Sequence, residues 1–134
     1  SGSGDYGRRN IMQYIIMLII VLGLACADYL TGIIKAYCQN NISSSKMRKG
    51  GLNKLGEIIV MTSACGLDIG IKALGKYYEA AELSAIAGKI TAVAVFIYIT
   101  VMEVISLFEN YAEINSDAQW ALKIIRKLKN FKEG

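Results

Sequence analysis

The stretch from Ile11 to Ala27 carries no charge, and Gln13 is its only strongly polar side chain. From Tyr14 to Ala27 it is apolar all round, interrupted only by the neutral Gly23. A helix on the surface of a soluble domain needs a polar face opposite its apolar stripe. This stretch has no such face, so a helix built from it must be enclosed by protein or by lipid. The apolar run continues to about Ile34, and two more follow, Leu55–Leu74 and Ala85–Phe108. Each has ~20 residues or more, enough at helical rise to cross the ~30 Å hydrocarbon core of a bilayer. The sequence therefore predicts an all-α integral membrane protein. Its transmembrane domain, 5–112, has three spans at about 11–36, 55–75 and 85–109. The second is the weakest, because Glu57, Asp68 and Lys72 interrupt it. Residues 1–4, Ser-Gly-Ser-Gly, read as a cloning scar and are set aside.

Composition agrees. The 134 residues are 54% hydrophobic and 19% charged, with mean hydropathy +0.38. A soluble domain carries roughly a quarter charged residues. A signal peptide is an alternative for the first span, given its basic start at Arg8 and Arg9. However, the apolar part is long and no small-residue cleavage site stands out. A soluble helical bundle is the other alternative, and detergent-free solubility would reveal it. The absence of His excludes a Ser-His-Asp triad and a His general base. Cys26, Cys38 and Cys65 share no short spacing, so they form no zinc finger or Cys-x-x-Cys site. They read as small apolar side chains. No catalytic, cofactor or metal residues are assigned.

Tyrosines gather at span ends, as interfacial belts do: Tyr6 and Tyr14, Tyr37, Tyr77 and Tyr78, and Tyr111. Basic residues set the orientation. Placing the first loop and the tail on one side puts ten Lys and Arg there and five opposite. The positive-inside rule then predicts the N-terminus out and the C-terminus in, although Arg8 and Arg9 oppose it. The first loop, Gln39–Lys54, is polar, Ser/Gly-rich and basic, and reads as a flexible connection. The tail, 113–134, reads as a separate basic amphipathic helix opened by a capping box over Ser116–Gln119. Ala121, Ile124, Ile125 and Leu128 recur at helical spacing, beside Lys123, Arg126, Lys127 and Lys129. Such a helix lies on an anionic membrane surface, or packs on a partner, or is simply solvated.

The ionisable residues within the spans need an explanation, because a charge in hydrocarbon costs at least ~2.5–3.5 kcal/mol. Asp28, Thr31, Gly32 and Lys35 share one helical face, and Asp68 pairs with Lys72 at i, i+4. Glu103, Ser106, Glu109 and Asn110 form another polar face. Asp28 and Glu103 fall at similar depth, ~25 Å from the outer boundary. Two readings stand open. Either these groups pair inside a bundle and only hold it together, or Asp28, Thr31, Lys35, Asp68, Lys72, Glu103 and Ser106 line a water-filled lesion. A chain of three spans is too small to enclose a pore alone, so the second reading requires a homo-oligomer. Gly66-x-x-x-Gly70 offers small residues for close helix contact.

Asp28-Tyr-Leu-Thr-Gly32 at the end of span one, the Ser/Lys/Arg/Gly-rich loop Ser43–Gly51, and Glu103-x-x-Ser106-x-x-Glu109-Asn110 late in span three come in a distinctive order. This layout resembles the phage-lysis and toxin-secretion holin family of Gram-positive bacteria and their phages, over roughly Ile11–Phe131. Members of that family often carry prolines after the third span, where this chain has Asn115-Ser-Asp-Ala118. The resemblance implies a protein of the bacterial cytoplasmic membrane that oligomerises and opens lesions for an endolysin or toxin. It implies no enzyme, no cofactor and no nucleic-acid partner, with lipid, further copies of itself and an antiholin as partners. A small channel or transporter, and a lysis-inhibiting antiholin or scaffold, are the alternatives.

Overall fold

The computed structural model describes residues 2–133 except 116. It consists of α1 (Gly2–Cys38), α2 (Ser44–Tyr77), α3 (Ala81–Ile114) and α4 (Gln119–Glu133), with no strand among the described residues. α1 runs on through Gly2–Gly4, the stretch set aside from sequence. Two tight connections turn the chain. After α1, Asn40 takes φ 51°, a left-handed conformation that Asn tolerates, and Asn41 N–H donates to Ala36 O at 2.8 Å. After α2, Glu79 takes φ 54° and Ala80 N–H donates to Gly75 O at 2.9 Å. A Cβ at Gly75 would collide with the Ser84 side chain, so the second turn needs a glycine there.

Connections this short make consecutive helices antiparallel neighbours. α1, α2 and α3 pack on one another as an up-down-up bundle, and α4 packs on α3 alone. At 37, 34 and 34 residues the three long helices measure ~50–55 Å, well beyond the ~30 Å of hydrocarbon. Three helices are thus long and apolar enough to cross a membrane: Gly7–Cys38, Ser44–Tyr77 and Ala81–Ile114. Their ends stand outside it.

The first loop is corrected by the structure. Residues 44–54, expected as a flexible connection, form the first turns of α2. The reason is tertiary. Tyr29 lays its ring against Gly50 and donates its hydroxyl to Met47 O at 3.2 Å, so the stretch that glycines weaken locally is supported by a side chain of α1.

The core contains Tyr14, Val21, Met61, Ala64, Cys65 and Ile99, with Leu18, Val95 and Phe96 packed against it. Tyr14 is 8% exposed, so it is a core residue and not part of an interfacial belt; its ring turns inward because its hydroxyl has a buried partner. Tyr37, Tyr77 and Tyr78 are exposed at helix ends, while the Tyr6 side chain lies outside the described residues. The exterior is apolar: Ile15, Ile19 and Leu22 on α1, Ile59 and Leu67 on α2, and Ile90 and Ile97 on α3 are all exposed. Only 18%, 28% and 22% of the most apolar windows of the three helices are buried within the chain. The remaining surface suits hydrocarbon or other copies, not water.

α4 is amphipathic, as expected. Its Ala121 and Ile125 are buried and Leu128 is half-buried against α3. Trp120 packs edge-on to Phe108 with ring centroids 5.8 Å apart. The capping box cannot be placed, because Ser116 and the Gln119 side chain lie outside the described residues.

Beyond the turn at Gly75, α2 and α3 also meet closely at Gly88. A Cβ there would stand 3.0 Å from the Asp68 carbonyl oxygen and 3.1 Å from its Cα, and would overlap the carboxylate. G88A should destabilise the bundle by about 1–3 kcal/mol, the cost of overpacking a close contact. G66A should instead leave the packing intact and stabilise the isolated chain by about 0.5–1 kcal/mol, since nothing lies within 4 Å of its added carbon and alanine is the better helix former. Unfolding of both variants in mixed micelles checks the contrast.

Candidate functional site

Each long helix turns one seam inward at heptad-like spacing. On α1 the seam runs Tyr14, Leu18, Val21, Ala25, Asp28. On α2 it runs Lys54, Ile58, Met61, Cys65, Asp68, Lys72, and on α3 Gly88, Ala92, Val95, Ile99, Glu103, Ser106, Asn110. The middle of every seam is apolar; both ends are polar on α1 and α2, and on α3 only the end at Glu103–Asn110 is, the other being Gly88. Closing the bundle therefore brings the polar ends together as two clusters.

The larger cluster joins all three helices. Lys54 Nζ forms an ion pair with the Asp28 carboxylate and donates to Glu103 Oε1 at 2.7 Å and Oε2 at 2.9 Å. Glu57 Oε1 lies 3.8 Å away. Asp28 and Glu103 are 4% and 1% exposed. Asn110 Nδ2 donates to Asp28 Oδ1 at 2.9 Å and to Thr31 Oγ1 at 3.2 Å, while the Thr31 hydroxyl donates to Ala27 O at 2.9 Å. One ammonium thus serves three carboxylates, and Glu57 Oε2 is buried with no hydrogen-bond partner. The smaller cluster lies at the other end. Tyr14 donates its hydroxyl to Asp68 Oδ2 at 2.6 Å, and Lys72 Nζ lies 3.2 Å from Asp68 Oδ1. Lys72 also donates to the Tyr14 oxygen at 3.1 Å. Along α2 the two clusters are ~27 Å apart, and along α1 ~21 Å. They bracket an apolar slab close to the thickness of hydrocarbon.

The remaining residues singled out from sequence fall elsewhere. Lys35 pairs with Glu113 at 3.2 Å, beyond the larger cluster. Lys35 and Ser106, with Gly32 and Lys46, line a cleft of about 400 Å³ whose floor is the Asp28–Lys54–Asn110 network. A Cβ added at Gly66 or Gly70 would meet nothing within 4 Å, so these positions make no close helix contact in their own chain; the close contacts of α2 with α3 are at Gly75 and Gly88. On α4, Lys129 pairs with Glu109 at 2.8 Å, and this carboxylate holds the Lys129 ammonium above the ordinary lysine value. Lys123, Arg126 and Lys127 are exposed. Lys132 stacks over the Tyr98 ring at 5.7 Å, so α4 runs back along α3.

Sequence reasoning missed Lys54, counting it as a basic loop residue, and left Asn110 and Glu57 out of the site. The signal was present: Lys54 continues the register of Met61, Cys65, Asp68 and Lys72. A loop assigned from its Ser and Gly content hid that register.

The cluster works as an electrostatic clasp, because removing its one cation leaves buried carboxylates facing each other. K54M should destabilise the bundle by about 3–5 kcal/mol. Adding D28N and E103Q to K54M should recover most of that loss, since neutral groups need no counter-ion. Denaturant titration of the native chain, K54M and the triple variant in mixed micelles measures both effects.

A family model described as the bacteriophage holin family matches residues 9–133, through all four helices. No curated protein and no solved structure matches the chain. With three span-length helices, two ionic clusters at the ends of an apolar slab and a match over nearly its whole length, the chain belongs to the bacteriophage holin family and is a multi-pass membrane protein.

Proposed function

We propose that this protein accumulates in the cytoplasmic membrane of a bacterial host, self-associates, and opens lesions through which an endolysin or a toxin leaves the cell, ending in lysis. The observation that carries this reading is the family match across residues 9–133 on a chain whose spans leave most of their apolar surface uncovered. Three helices packed around a filled core hold no path of their own, so passage of a protein needs many copies. The function is assembly, not catalysis. The N-terminus lies outside and the C-terminus inside, with Lys35, Lys46, Arg48, Lys49, Lys54 and α4 gathered at the inner end. There Lys123, Arg126 and Lys127 face anionic headgroups.

The bundle is the resting form. Asp28 and Glu103 face inward in it, so lining a lesion with Asp28, Thr31, Lys35, Glu103 and Ser106, and with Asp68 and Lys72 at the other end, requires the helices to part. Water in the lesion then replaces the Lys54 contacts. The open faces at Gly66 and Gly70 supply the contact between copies. An antiholin would act by occupying that contact.

Inducible expression with a cytoplasmic endolysin tests the reading. Abrupt, delayed loss of membrane potential with release of the enzyme is the expected outcome. Steady growth with the enzyme retained would overturn it in favour of a channel, transporter or inhibitor. K54Q should shorten the delay at equal protein level. G66L/G70L should abolish lysis and cross-linked oligomers without changing the micellar stability of the single chain.

A further inference from the structure

The cleft beyond the larger cluster is formed by the end of α1, the first turns of α2 and the last turns of α3. Its depth in the membrane follows from the apolar slab. Asp28, Lys54 and Glu103 close one end of that slab. Counting outward at helical rise, Lys35 stands ~10 Å and Lys46 ~12 Å past this level. Headgroups add ~5–7.5 Å to each side of a ~30 Å hydrocarbon core, and the ~21–27 Å slab ends a few Å inside that core, so the cleft opens at the outer part of the headgroup layer.

Its chemistry is that of an anion site with a greasy wall. Lys35 and Lys46 line it, joined by the Asn41 amide and the Ser43 hydroxyl. Ile33 and Met47 supply apolar walls. Asp28 at the floor already has Lys54 and Asn110 as partners, so the floor presents no free carboxylate. Between Gln39 and Asn53 the only charged residues are Lys46, Arg48 and Lys49. The one carboxylate at the mouth is Glu113, half-exposed and 3.2 Å from Lys35. Lys46 has only a 3.4 Å contact with the Asn41 amide oxygen.

We propose that this cleft is a headgroup site for an anionic glycerophospholipid, with the phosphate held between Lys35 and Lys46 and the glycerol end against Ile33 and Met47. A basic pocket between helices at headgroup level is the physical form such sites take. The lipid ties the α1–α2 connection to the larger cluster directly beneath it. The site depends on the chain's place in a membrane and not on lesion formation, so it stands or falls separately from the lytic reading.

The test uses the full chain in phosphatidylcholine nanodiscs, titrated with phosphatidylglycerol and followed by native mass spectrometry. One retained phosphatidylglycerol per chain is expected. K35Q/K46Q should weaken retention about twenty-five-fold, at roughly fivefold per basic contact. K76Q/K89Q, which removes equal charge at the opposite end, should leave it unchanged. K46Q alone should weaken retention about fivefold, and it keeps the Lys35–Glu113 pair intact if the double variant fails to fold. Equal loss in the two double variants, or no retained lipid, would overturn the site. Displacement of the lipid by inorganic phosphate at matched concentration would reassign the cleft to a soluble phosphate and overturn the lipid assignment.

Discussion

The structure depends on a thickness. Between the Tyr14–Asp68–Lys72 cluster and the Asp28–Lys54–Glu103 cluster every inward seam is apolar, over ~21–27 Å. Charge within hydrocarbon is costly, so ionisable side chains on long membrane helices are tolerated near the boundaries and when paired. Both conditions are met here. The same constraint makes the whole chain helical, because a helix satisfies its own backbone where no water is available.

Within that frame, polar contacts give register where apolar packing gives little. An apolar helix gains little by leaving lipid for another apolar helix, so association in the membrane relies on close approach and on polar partners. Gly88 against the Asp68 backbone provides the close approach between α2 and α3. Lys54 provides a partner common to all three helices. A bundle held this way is well specified but not strongly committed. If water reached its ionic ends, the exchange of Lys54 contacts for hydration would cost little, and large apolar faces are already exposed on the outside. That balance is what the proposed lytic assembly would require of its single chain.

The two readings of the intramembrane charges, pairing inside a bundle and facing water, are compatible only if the chain has two states. Asp28 and Glu103 are paired and buried in the single chain, which is the first reading in geometric form. The proposed lesion requires the second. The floor of the cleft above the cluster is the same network, so the proposed lipid site would couple to this choice.

From sequence alone, hydrophobic length determined the solvent, the helix class and the three spans, because a run such as Ile11–Ala27 leaves no other way to satisfy backbone and side chains together. The cost of charge in hydrocarbon also marked Asp28, Asp68, Lys72 and Glu103 as groups needing partners, and the i, i+4 pair of Asp68 with Lys72 was visible locally. Tertiary structure alone decided the rest. It made residues 44–54 helical against their Ser/Gly content, because Tyr29 of α1 supports them. It drew Lys54 out of the loop and into the core, and it turned Tyr14 from a belt position to a buried donor for Asp68. It chose Gly88 over Gly66 and Gly70 as a close contact within the chain. These outcomes depend on which helix faces meet, and facing is a property of the packed bundle that no single segment carries.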